Sequence, residues 1–73
     1  MNDIRREELI EIRNKIEEIK KLLEKPLEEE KSYITSVPAG GKRFSRAVNA
    51  ANEIEFAIGF CDDAINSITS AIV

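Results

Sequence analysis

The chain has 73 residues, no histidine and a single cysteine, and its 11 basic and 14 acidic side chains leave a net charge of −3. Those numbers rule out an intrachain disulfide, argue against a structural zinc centre, and limit the chain to one domain. A helical hairpin of this length buries too little apolar surface to be comfortable alone, so self-association is the remedy left.

The first half reads as a helix from about residue 3 to about residue 31. Asn2 or Asp3 is placed to cap it, and Glu7 and Glu8 suit the positive end of the helix dipole. Leu9, Ile12, Ile16, Ile19 and Leu23 form a narrow apolar stripe at spacings of three and four, flanked by charged residues that pair along the helix. Pro26 lacks a backbone donor and disfavours helical geometry at Lys25, so a kink or a restart of the helix is expected there. Residues 32 to 41 read as a connection, with Pro38 and the Gly40-Gly41 pair as its breakers and Tyr33, Ile34 and Val37 as apolar anchors.

A second helix is expected from about residue 42 to about residue 72. Phe44, Ala51, Ile58, Ile65 and Ile72 alternate with Ala47, Ile54, Cys61 and Ile68 to make an unbroken apolar seam. Ala50, Ala57, Ala64 and Ala71 run beside it at seven-residue intervals, while Phe56 and Phe60 fall outside it. Two helices of similar length with a short connection predict an all-α, antiparallel hairpin. The second helix has more apolar face than the first can cover. The expected architecture is therefore a homo-oligomeric helical bundle, with Gly59 a candidate point of close backbone approach.

Charge is unevenly spread. Residues 1–31 carry 8 basic and 10 acidic side chains, residues 32–52 carry three basic and none acidic, and the remainder carries four acids and no base. One cationic patch on an acidic chain suits a compact anion better than a long nucleic acid, which needs many phosphate contacts. Lys42, Arg43 and Arg46 stand in the first turns of the second helix, where free N–H groups already favour an anion. Arg43 and Arg46 share a face and can grip neighbouring phosphate oxygens. Ser45 offers a hydroxyl, Asn49 can read a base edge or ribose, and Tyr33 can stack on a base. Against this stands the plainer reading of a soluble loop whose charge is answered by a neighbouring helix. The glycine spacing is not that of a nucleotide-binding P-loop.

Little supports catalysis. Glu7-Glu8-x-x-Glu11 matches only the first half of the carboxylate set of helical nucleotide pyrophosphohydrolases, and the second half is missing. Cys61 lies in the seam with no histidine to activate it. No metal, cofactor or catalytic residue is expected, and the chain reads as non-enzymatic. The charged N-terminus lacks the apolar core of a secretory signal and no run is long enough to span a bilayer, so no membrane association and a cytoplasmic location are expected.

Pro38, Arg43-Phe44, Ser45-Arg46, Glu55-Phe56-Ala57, Phe60 and Ala64-Ile65 together resemble the helical hairpin domain of phage anti-CBASS cyclic-nucleotide sponges, a hairpin shared with anti-Thoeris sponges. The resemblance covers about residues 33–68. It implies a homo-oligomer that sequesters a cyclic di- or trinucleotide immune signal between protomers, in the host cytoplasm if the chain is phage-encoded. By position it assigns phosphates to Arg43 and Arg46, hydrogen bonds to Ser45 and Asn49, and stacking to Tyr33. The competing reading is a coiled-coil homo-oligomeric adaptor or inhibitor that docks a helix of a partner protein.

Overall fold

The computed structural model describes residues 2–73. Helix α1 spans Asp3–Ser36 and helix α2 spans Lys42–Ile72, and the two pack against each other along their length. The result is a rod of 56 × 15 × 13 Å. Its radius of gyration, 16.8 Å, compares with about 11 Å for a globular domain of the same length.

Asn2 caps α1, its side-chain oxygen accepting from the Arg5 N–H at 2.9 Å. The helix runs through Pro26 without a break and ends five residues beyond the expected position. Pro26 cannot donate to the Leu22 carbonyl, but Leu22 is 74% exposed, on a side of the helix open to solvent. Past residue 31 the hydroxyls of Thr35 and Ser36 donate to the carbonyls of Ser32 and Tyr33, at 2.8 and 2.9 Å. The Ser36 bond serves the Tyr33 carbonyl, one of the four acceptors that a helix end leaves open. Termination falls at Val37, whose extended backbone is what a following proline demands. Gly40 then takes a φ of 85°, and Gly41 starts α2 without a side-chain cap.

The α2 seam forms as its spacing predicts, every member from Phe44 to Ile72 being buried or half-buried. On α1 the outcome differs. Leu9, Ile16 and Leu23 face α2, but Ile12 and Ile19 remain 47% and 51% exposed. Their places in the seam are taken by Arg13 and Lys20, which belong to the same seven-residue line as Leu27 and Ile34. Both basic side chains are half-buried and send the head to a polar group on α2. Arg13 donates to the Thr69 hydroxyl at 3.3 Å, and Lys20 meets Asp62 at 2.6 Å. Lys31 and Glu55 add a third polar contact between the helices, at 3.5 Å.

Among the described residues only Leu27, Ala47 and Ala51 are buried. The chain exposes 5640 Å², about 1,100 Å² more than the roughly 4,500 Å² expected of a folded monomer of its mass. Phe56 and Phe60, outside the seam as expected, are 60% and 70% exposed. No helix among the described residues is long and apolar enough to cross a membrane.

The glycines separate backbone strain from helix propensity. A Cβ at Gly40 or at Gly59 meets nothing within 4 Å, so Gly59 marks no close approach inside the hairpin. At Gly40 the positive φ alone penalises a side chain. Gly40→Ala should lower stability by about 1–2 kcal/mol, whereas Gly59→Ala should raise it by about 1 kcal/mol. Thermal denaturation of both variants at one fixed protein concentration checks the opposite signs.

Candidate functional site

Residues from both helices line an open cleft of about 520 Å³ at the loop end of the rod. Glu30 and Tyr33 come from α1, and Arg43, Arg46, Ala47 and Ala50 come from α2. Its size suits a small molecule. The extension of α1 to Ser36 carries Tyr33 on helix rather than loop, and Tyr33 stays half-exposed at the cleft wall. Arg43 and Arg46, three residues apart, rise from the first turn and a half of α2 beside it. Ala47 and Ala50 contribute only methyl groups, which leaves the space between Tyr33 and the arginines open.

Neither arginine has an ion-pair partner among the described residues. Glu30 shares the cleft without reaching either of them, so the cleft holds two positive charges against one negative. At the start of α2 the uncapped backbone N–H groups add positive potential. A planar anionic group placed here meets two guanidinium donors and an aromatic face.

Sequence reasoning placed six residues at this site, and the fold brings three of them together. Lys42, Ser45 and Asn49 do not line the cleft. Lys42 and Asn49 are seven residues apart, on the line that continues to Phe56, and this line faces away from α1. All three side chains are exposed. Glu30, Ala47 and Ala50 were missed. Glu30 was recoverable, because it continues the line of Leu9, Ile16 and Leu23 within the helix already expected to residue 31.

A second depression, about 440 Å³, lies midway along the rod and is lined by Glu17, Lys20, Lys21, Glu24, Asp62 and Ile65. Its charges answer one another, with Lys20 bound to Asp62, so it presents no consistent field to a ligand. Cys61 is a free, half-buried thiol. No group of histidine, cysteine and carboxylate side chains able to hold a metal occurs among the described residues. No protein-family model, curated relative or solved structure matches the chain.

The Lys20 contact has a pH signature. The hydrogen bond and charge of Asp62 raise the Lys20 pKa above its ordinary 10.5. A raised lysine value means stabilisation that is complete below 10.5 and lost as pH rises through the higher folded-state value. Both side chains are partly exposed, which keeps the effect small and salt-sensitive. Stability curves taken between pH 9 and 12 should show the wild type losing more than Asp62→Asn. Parallel curves would remove this ion pair from the forces that set the register.

Proposed function

We propose that this chain is a non-enzymatic binding module that sequesters a phosphate-bearing nucleotide in clefts where copies of the chain meet. The observation that carries the reading is the convergence of Tyr33, Arg43 and Arg46 on one cleft, both arginines lacking an ion-pair partner among the described residues. An aromatic face beside two guanidinium groups suits a base and its phosphate. The resemblance of residues 33–68 to anti-CBASS and anti-Thoeris sponges narrows the ligand to a cyclic di- or trinucleotide immune signal. It narrows the role to antagonism of bacterial anti-phage defence. Capture rather than turnover is supported by the makeup of the cleft, where Glu30 is the one carboxylate and no serine, threonine, cysteine or histidine forms part of the lining.

A second reading rests on a different observation. Phe56 and Phe60 stand exposed on α2, and an exposed aromatic pair on a helix suits docking against a helix of a partner protein. In that case the chain is a homo-oligomeric adaptor or inhibitor, and the arginines are incidental.

Isothermal titration against a panel of cyclic di- and trinucleotides separates the two. The sponge reading expects saturable heat from at least one member and recovery of that ligand intact after denaturation. Arg43→Glu combined with Arg46→Glu should weaken binding by about 100-fold or more, given the strength of charge-assisted hydrogen bonds. Heat from no member of the panel would overturn it, and a cleaved ligand would overturn its non-enzymatic part.

A further inference from the structure

Seven-residue lines sort the surface of the hairpin into two unlike flanks. On α2 the seam line Ala51-Ile58-Ile65 has Ala50-Ala57-Ala64 on one side and Glu55-Asp62-Thr69 on the other. Every polar contact between the helices uses the second of these: Lys31 to Glu55, Lys20 to Asp62, Arg13 to Thr69. That flank is closed by its own charges. Among the described residues the alanine flank has no such clasp. Tyr33 and Ala50 line one cleft, which places their lines on the same side of the rod. Ile12, Ile19 and Pro26 precede Tyr33 at seven-residue steps, just as Ala57 and Ala64 follow Ala50.

This flank is therefore a strip of isoleucine on α1 beside alanine on α2, with Leu22 and Phe60 along its outer edges. Ile12 and Ile19 are half-exposed there, while Leu22 and Phe60 are 74% and 70% exposed. Such a strip lets another backbone approach closely, because the alanines add almost nothing to the helix radius.

We infer that a second copy of this chain seats on the Ile12–Ile19/Ala57–Ala64 flank and supplies the missing wall of the cleft at its end. The area argues for it. The rod exposes about 1,100 Å² beyond what its mass predicts, and a stable interface takes about 800 Å² from each side. The core argues for a copy rather than a foreign protein. With only Leu27, Ala47 and Ala51 buried among the described residues, the cover has to be present whenever the chain is folded. Another copy is the occupant always available in equal amount. The inference deepens the sequestering reading, which requires a junction between protomers, and it does not depend on the ligand's identity.

The test uses the full chain. Sedimentation equilibrium at micromolar concentration should give a mass of at least twice 8.2 kDa. In a Cys61→Ser background, Leu22→Cys and Asn66→Cys each place one thiol at a position exposed on the single hairpin. Modification by a maleimide should be at least ten-fold slower at position 22 than at position 66, and dilution below the dissociation constant should abolish the difference. A folded 8.2 kDa monomer, or equal rates in an associated sample, would overturn the inference. Association with a protected position 22 and no heat from cyclic nucleotides sustains it, and the ligand reading alone then falls.

Discussion

Two helices lying side by side bury only the strip along which they touch, and that limit governs this molecule. A 34-residue helix against a 31-residue helix makes a long contact but a thin one. Every buried side chain among those described lies in the half of the rod nearer the loop: Leu27 on α1, Ala47 and Ala51 on α2. Toward the open end the seam is half-covered at best, its isoleucines shielded on one side and wet on the other. Burial is worth about 25 cal/mol per Å², so half-covered seams stabilise weakly against the entropy of ordering the chain.

Given that thin seam, alignment of the rods depends on groups at its margin. Isoleucine and alanine repeated every seven residues tolerate slippage by a whole heptad, because the same pattern returns. Lys20 with Asp62, Lys31 with Glu55 and Arg13 with Thr69 break that degeneracy, since a shift of seven residues separates each pair. Each contact is weak because it is partly exposed, and their role is selection among registers more than stabilisation. The same register brings Tyr33 level with the alanines of early α2 and opens the cleft beside Arg43 and Arg46. Shape at the loop end thus follows from charges spread along the rod.

The loop end also shows how helix termini position a site. Pro38 holds Val37 extended, Gly40 supplies the one positive φ among the described residues, and Gly41 admits α2 without a capping side chain. The uncapped start and the arginines of its first turns then face the last turns of α1, which hold no basic residue in the final turn. Electrostatic interest concentrates here because the opposite flank has spent its charges on cross-helix pairs.

Much of this was legible from residue order. The helical class, the hairpin, the α2 seam and the surplus of apolar surface follow from local spacing, since the period of a helix is a property of the backbone and needs no partner to be read. The exposed placement of Phe56 and Phe60 and the grouping of Arg43 with Arg46 follow the same rule. What residue order left open concerns choices between near-equivalent faces. Ile12 and Ile19 are as apolar as the residues of the seam, and only the position of α2 decides that Arg13 and Lys20 turn inward instead. The end of α1 depended on Thr35 and Ser36 bonding back to their own carbonyls, a choice those side chains make equally well in a loop. The cleft needed both: the longer helix carries Tyr33 to it, and the observed rotation sets Glu30 and Tyr33 beside Arg43 and Arg46. Periodicity specifies which residues share a line. The rotation of one helix against the other, which no single helix contains, decides which line becomes the core.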